Sequence, residues 1–161
     1  MMKLLKSVLL LILLNGTSQA MEMLNMAPDF SLPDPQGKVH TLAEYKGKPL
    51  ILHFWATWCP YCKKLQPGLD SIAKDYKDAD LQVLGISFNE DDGAMPGEML
   101  KKRGIHFPTL INGESVAKSY GVPGTPTTVF INRAGEIVWV TNISDPNDPS
   151  LNAAAEFILK N

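Results

Sequence analysis

The sequence contains little cysteine and no excess of positive charge. Its two cysteines are too few for the disulfide framework that stabilises small secreted proteins. The three histidines, His40, His53 and His106, are scattered and show no metal-ligand spacing. Fifteen basic residues against 17 acidic ones give a net charge of −2, so there is no electrostatic argument for nucleic acid as a partner.

Long apolar runs are also scarce, and the one at the N-terminus is short. It covers residues 8–14, follows Lys3 and Lys6, and precedes the small-residue cleavage pattern Ser18-Gln19-Ala20. A membrane span takes about 20 apolar residues, which is more than this run offers. We therefore predict a signal peptide over residues 1–20, either cleaved or retained as an anchor, followed by one domain over residues 21–161.

The two cysteines are present as one motif, Trp58-Cys59-Pro60-Tyr61-Cys62-Lys63. The apolar residues 50–56 before it are typical of a buried strand, and the residues after it have helical periodicity. Cys59 is thereby placed at a helix N-terminus, where free backbone N–H groups and the helix dipole stabilise a thiolate. This context predicts a dithiol/disulfide redox site, with a structural disulfide or half of a zinc site as alternatives.

The rest of the chain alternates between strand and helix patterns, which predicts an α/β fold. This order predicts a mixed central sheet with helices on both faces. The strands of consecutive β-α units should pair in parallel, and the last two strands should pair antiparallel. We predict a small N-terminal hairpin at residues 30–42, strands at 81–88, 107–111, 127–131 and 137–140, and helices at 94–103, at 114–120 and after Asp148-Pro149.

A second motif, Gly121-Val122-Pro123-Gly124-Thr125-Pro126-Thr127, places a proline immediately before a predicted strand. Proline there cannot donate a hydrogen bond to the sheet, so it marks an edge or a special turn. The pattern alone favours a turn proline, with a cis peptide bond as the minority option.

Together these motifs resemble the thioredoxin superfamily. The resemblance is carried by residues 54–63, by Pro67 and by residues 121–127. The opening Ala27-Pro28-Asp29-Phe30-Ser31-Leu32 and the segment between Phe88 and Phe107 resemble its TlpA/ResA-like branch of exported thiol–disulfide oxidoreductases. The resemblance implies a thioredoxin fold with an N-terminal β-hairpin and a β-α insertion, and it implies neither a cofactor nor a metal.

The resemblance also implies roles for particular residues. Cys59 is the attacking cysteine, on an exposed sulfur, and Cys62 is the resolving one. Pro126 is cis and faces the pair, and the Thr125 backbone pairs with a substrate strand. Trp58, Pro60 and Tyr61 belong to the substrate-binding surface. The Pro60-Tyr61 dipeptide is typical of glutaredoxins and raises glutathione as an alternative reductant, but the rest of the chain is not glutaredoxin-like and the predicted signal peptide argues against the glutathione-rich cytosol.

Two residues are candidate proton acceptors for the resolving cysteine. His53 lies where thioredoxins carry a buried acid, and it is either a proton relay or a neutral core histidine satisfied by a hydrogen bond. Glu90 lies near the position where ResA-like members place an acid, and it is either that acceptor or a solvated loop charge. We rank Glu90 first.

The sequence thus predicts an exported thiol–disulfide oxidoreductase that reduces protein disulfides, such as those of apocytochrome c, and is recharged by a membrane electron donor. One alternative is an oxidant of the same fold, because the redox potential decides the direction. Another is a copper chaperone that uses Cys59, Cys62 and a histidine. A peroxiredoxin is disfavoured, because Ala56 and Leu52 replace the threonine and proline that precede its reactive cysteine.

Overall fold

The chain folds around a five-stranded sheet with an additional hairpin. The computed structural model describes residues 26–161. The strands are β1 Ser31–Pro33, β2 Val39–Thr41, β3 Leu50–Trp55, β4 Gln82–Ser87, β5 Thr109–Leu110, β6 Thr127–Ile131 and β7 Ile137–Thr141. The α-helices are α1 Pro60–Asp75, α2 Pro96–Lys102, α3 Glu114–Ser119 and α4 Pro149–Lys160, with short 3₁₀ helices at Leu42–Tyr45 and Lys77–Ala79.

The sheet is mixed, as predicted. Its strand order is β5-β4-β3-β6-β7, with β3, β4 and β5 parallel and with β6 antiparallel to both β3 and β7. Strands β1 and β2 pair separately as the predicted antiparallel hairpin, with Leu32 opposite His40. The predicted thioredoxin-like architecture, including the hairpin and the inserted helix α2 with strand β5, is confirmed.

The central strand β3 is buried along its whole length, and its alternate residues serve two separate cores. Ile51 and Trp55 pack against α1 and α4, in the same cluster as the two cysteines. Leu52 and Phe54 pack on the other face, against α3 and the N-terminal segment. Helices therefore cover both faces of the sheet, and β3 leads from the middle of the core directly to the cysteine motif.

A glycine in β4 gives Trp55 its position beneath that motif. The Trp55 indole Nε1 donates a hydrogen bond of 3.0 Å to Thr109 Oγ1 on β5, so the ring crosses the intervening strand β4. A Cβ on Gly85 would lie 2.9 Å from both the indole Nε1 and the threonine oxygen. Glycine at this position is thus required by the close approach of the tryptophan.

Helix ends follow the predicted capping residues. Asp148 caps α4, its side chain accepting from the Ser150 backbone N–H at 2.9 Å, and Pro149 is the first helical residue. Beyond α2, Gly104 adopts a φ of +70°, the left-handed conformation that ends a helix at little cost for glycine.

The predicted signal peptide, residues 1–20, lies outside the described residues. Among residues 26–161, no helix is long and apolar enough to cross a membrane.

Candidate active site

The two cysteines are joined by a disulfide at the start of α1. Cys59 is the N-cap residue, and Cys62 lies in the first turn, with a Cα–Cα distance of 5.3 Å. The Cys59 Sγ accepts a hydrogen bond of 3.1 Å from the Cys62 backbone N–H. Cys59 is therefore at the predicted helix N-terminus, where a free N–H group already points at its sulfur.

The surroundings of the pair are more closed than the sequence predicted. Cys59 is only 2% exposed, so the expectation of an exposed attacking sulfur is wrong for this disulfide-bonded state, in which the sulfur is turned inward against Cys62 and the helix end. Cys62 is completely buried, as expected. The flanking aromatic residues lie at the surface instead, with Trp58 52% and Tyr61 62% exposed.

The proline loop lies beside Tyr61. The Thr125–Pro126 peptide bond is cis, as the family resemblance implied. Thr125 and Pro126 line an open cavity of about 380 Å³ together with Tyr61, Pro123, Gly124, Asn142 and Ser144. The predicted substrate-binding residues Tyr61 and Thr125 thus share one surface cavity.

Asn142 supports this loop and was missed by the sequence analysis. Its Nδ2 donates 2.8 Å hydrogen bonds to the Pro126 carbonyl and to Thr127 Oγ1. The contact joins residues 16 positions apart through the antiparallel pairing of β6 with β7, and no local motif marks it.

Glu90 is bound to the loop that precedes the cysteines. Its carboxylate accepts hydrogen bonds from the Thr57 backbone N–H at 2.9 and 3.0 Å, from Thr57 Oγ1 at 2.5 Å and from Ser87 Oγ at 2.5 Å. It is half-buried rather than solvated. The carboxylate is therefore held against the segment two residues before Cys59.

The loop that carries Glu90 is fixed by its neighbour Asn89. This residue has a φ of +53°, and its N–H donates to Glu114 Oε1 at 2.9 Å. The Asn89 carbonyl accepts a 2.8 Å hydrogen bond from the Trp58 indole. The exposed Trp58 is thereby tied to the same loop as Glu90.

His53 is buried on the sheet face that also carries the cysteine pair. It lies on β3 between Ile51 and Trp55 in the two-residue repeat, and its ring contacts Phe107 edge-on. Neither ring nitrogen has a hydrogen-bond partner, so the expectation of a satisfied core histidine is corrected in that respect. Burial, and secondarily the Arg103 charge, lowers the pKa of His53 to about 3, so the ring is neutral.

Arg103 connects α2 to the site and was also missed. Its guanidinium donates 2.8 Å hydrogen bonds to Gln66 Oε1 on α1 and to the Thr57 carbonyl, and it lies 5.6 Å from the Trp55 ring centre. Burial lowers the pKa of Arg103, while the nearby Glu90 charge raises it in part. The half-buried guanidinium thus helps to position the loop before Cys59.

The described residues contain no ready metal centre. Across residues 26–161, no three His, Cys, Asp or Glu side chains are grouped so that they can hold a metal ion.

Comparisons with known proteins agree with this geometry. The model of the AhpC/TSA family matches residues 23–140. The thiol-disulfide oxidoreductase ResA of Bacillus thuringiensis subsp. konkukian is 32% identical over 121 residues, which cover 74% of this chain and 69% of that protein. ResA of Bacillus subtilis is 36% identical over 115 residues, 71% of this chain and 64% of the relative.

Solved structures show the same fold. A thioredoxin-family thiol:disulfide interchange protein from Chlorobium tepidum superimposes with a TM-score of 0.72 at 26% identity, over 84% of this chain and 96% of the other. A secreted Mycobacterium tuberculosis disulfide oxidoreductase gives a TM-score of 0.68 at 26% identity, over 80% and 95% of the two chains.

The fold and the cysteine motif define a thioredoxin-like thiol–disulfide oxidoreductase. The chain belongs to the AhpC/TSA family, and the predicted resemblance to the ResA-like branch is confirmed.

Proposed function

We propose that this protein reduces the disulfides of exported proteins outside the cytoplasm, including those of apocytochrome c during cytochrome c maturation. The observation that carries the proposal is the position of Cys59 as N-cap of α1, with its sulfur accepting the Cys62 N–H. A thiolate formed there gains a hydrogen bond and the helix dipole, which makes Cys59 the nucleophile.

The reaction is a dithiol–disulfide exchange. The Cys59 thiolate attacks one substrate sulfur, the substrate S–S bond breaks, and the departing sulfur takes up a proton. Cys62 then loses its proton and attacks Cys59, which releases the second substrate sulfur as a thiol after protonation. Two electrons and two protons pass to the substrate, and Cys59 and Cys62 end as the disulfide.

The proton of Cys62 requires an acceptor, because a buried thiol resists ionisation. Glu90 is our first candidate, since its carboxylate is held within the loop that leads to Cys59. His53 is the second candidate, since it lies on the face of β3 that packs against the same hydrophobic core as the two cysteines. Both roles are proposals.

The substrate chain is proposed to lie in the cavity beside Tyr61. Tyr61 offers exposed aromatic surface in this cavity, and the exposed Trp58 lies on the other side of Cys59 and Pro60 in the motif. The Thr125 backbone, which directly precedes Pro126 and β6, is proposed to supply peptide groups for pairing with a substrate strand.

Export and recharging complete the proposal. The basic start and short apolar run of residues 1–20 support secretion or a membrane tether. A membrane electron donor is proposed to return two electrons to the disulfide, because an oxidising compartment does not supply them.

A trapping experiment tests the division of roles. Without Cys62, the mixed disulfide on Cys59 is not resolved, so Cys62→Ser is expected to accumulate covalent complexes with exported proteins. The matched Cys59→Ser variant is expected to trap none. Complexes that form through Cys62 instead would contradict the mechanism, and a redox potential well above that of cellular reductants would identify an oxidant.

A further inference from the structure

A second cavity lies directly beside the cysteine helix. It has a volume of about 350 Å³ and opens between α1 and the end of α2. It is lined by Lys63, Pro67, Met99, Lys102, Arg103 and Ile105. We call it the cationic cleft, because three cationic side chains surround an apolar floor.

The charges of this cleft are not neutralised by contacts. None of the ion pairs found among residues 26–161 involves Lys63, Lys102 or Arg103. The hydrogen-bond acceptors of the Arg103 guanidinium are a neutral amide oxygen and a peptide carbonyl. The Glu90 carboxylate, whose charge acts on Arg103, is itself occupied by three donors from Thr57 and Ser87. A protein of net charge −2 therefore presents a local concentration of unpaired positive charge here.

Two residues of the cationic cleft are linked to the two ends of the cysteine motif. Arg103 donates to the carbonyl of Thr57, two residues before Cys59, and Lys63 directly follows Cys62. The cationic cleft shares no lining residue with the cavity beside Pro126, so it offers a separate surface for the residues that flank a substrate disulfide attacked by Cys59.

We propose that the cationic cleft binds the acidic side chains of a substrate polypeptide and so selects disulfides flanked by Asp or Glu. Lys63 and Lys102 attract the carboxylates from the rim, and the apolar floor of Pro67, Met99 and Ile105 accepts the aliphatic part of the side chain. This inference rests on the proposed reduction of protein disulfides and names the substrate class for that same site.

The test compares matched disulfide peptides that differ only beside the cysteines, carrying Asp, Gln or Lys. The reduced protein is mixed with each peptide, and the rate constant for release of peptide thiols is measured at low and at high ionic strength. Two exposed charge contacts predict a preference of about threefold to tenfold for the acidic over the neutral peptide, which shrinks at high salt.

Two double variants locate the effect. Lys63→Gln with Lys102→Gln is expected to bring the acidic-to-neutral rate ratio close to one. Lys46→Gln with Lys77→Gln removes the same charge from exposed positions before β3 and after α1, at the end of the sheet away from Cys59, and is expected to keep the wild-type ratio.

Each outcome has a distinct meaning. Failure of the wild type to reduce any peptide would overturn the proposed function itself. The proposal for the cationic cleft alone would be overturned by any of three results. These are equal rates for acidic and neutral peptides, a preference for the acidic peptide that high salt does not weaken, and an equal loss of that preference in both double variants. Oxidised glutathione is assayed as a further substrate. If the Lys63→Gln, Lys102→Gln double variant loses rate with glutathione while its rate with the acidic peptide is unchanged, the proposal that the cleft binds a polypeptide is overturned.

Discussion

At the residue scale, the two sulfurs differ in the groups that surround them. Both cysteines are buried, at 2% and 0% exposed, but only Cys59 is the helix N-cap whose sulfur accepts a backbone N–H. We therefore expect Cys59 to be alkylated first in the reduced protein, with a half-maximal rate at a pH below about 8.5, the ordinary value of a free thiol. Mass spectrometry of protein alkylated over a range of pH measures this order.

The single variants Cys59→Ala and Cys62→Ala serve as controls for that assignment. Each leaves one thiol, so the rate at each sulfur is measured without its partner. Faster alkylation of Cys62 than of Cys59 in this pair would reverse the proposed roles.

The two candidate proton acceptors are also distinguished at this scale. Burial and the Arg103 charge lower the pKa of His53 to about 3, so protonating this ring costs free energy throughout the neutral range. We expect Glu90→Gln to shift the pH dependence of mixed-disulfide resolution and His53→Asn to leave it nearly unchanged. The measurement is the single-turnover rate of disulfide reduction between about pH 5 and about pH 9, a range that includes the pH values at which groups with a pKa near neutrality titrate.

Asp91→Asn is the matched control, since Asp91 is exposed and adjacent in sequence to Glu90. An unchanged profile in Glu90→Gln together with a shifted one in His53→Asn would invert the ranking. If neither variant moves the profile, both residues are structural, and the proton leaves through water or backbone groups.

At the element scale, a buried carboxylate ties α1 to the segment that precedes β5. Asp70 accepts from the His106 backbone N–H at 2.7 Å, from His106 Nδ1 at 3.0 Å and from Lys74 Nζ at 2.7 Å. Burial alone would raise the pKa of Asp70, but the hydrogen bonds from Lys74 and His106 outweigh it and lower the pKa to about 2. The ionised form is thus the one that stabilises the fold.

The sign of the pH effect follows from this lowered pKa. The stabilisation is complete above the unfolded-state value of about 4 and is lost as the pH falls towards 2. We expect Asp70→Asn to lower the free energy of unfolding by about 2 kcal/mol at neutral pH, with the difference shrinking below pH 4. Urea unfolding at a series of pH values measures it, and a difference that stays constant down to pH 2 would contradict the assignment.

Elements were predicted well because their patterns are local. The apolar run before Cys59, the Asp148-Pro149 cap and the glycine after α2 each lie within a few residues of the feature that they specify. Parallel pairing of β3 with β4 followed from the β-α-β order alone. The cis state of Pro126 came from the family resemblance and not from the local pattern.

The surroundings of the cysteines were predicted less well, because they depend on contacts between distant parts of the chain. Glu90 and Thr57 are 33 residues apart, and Arg103 and Thr57 are 46 apart. The face of β3 to which His53 belongs depends on the register with β4 and β6, and a shift by one residue would reverse it. Only the assembled sheet determines these neighbours.

At the scale of the whole molecule, the disulfide is a small part of what holds the fold together. It closes a loop with a sequence separation of 3, for which the chain-entropy model gives about 2 kcal/mol of stabilisation. The two cores on either side of β3 are built from other residues, including large buried side chains such as Trp55, Phe54 and Phe130. The fold should therefore survive each turn of the redox cycle.

We expect the reduced protein to stay folded and to unfold in one cooperative transition. We expect the same of the double variant that carries both Cys59→Ala and Cys62→Ala. Because β3 contributes to both cores, neither face of the sheet can melt alone, so tryptophan fluorescence and far-ultraviolet circular dichroism should give coincident urea curves. Both forms should lie about 2 kcal/mol below the oxidised protein in free energy of unfolding. Separate transitions for the two probes, or loss of structure on reduction, would mean that the disulfide organises the fold, and an enzyme that must pass through its dithiol state could not then work as proposed.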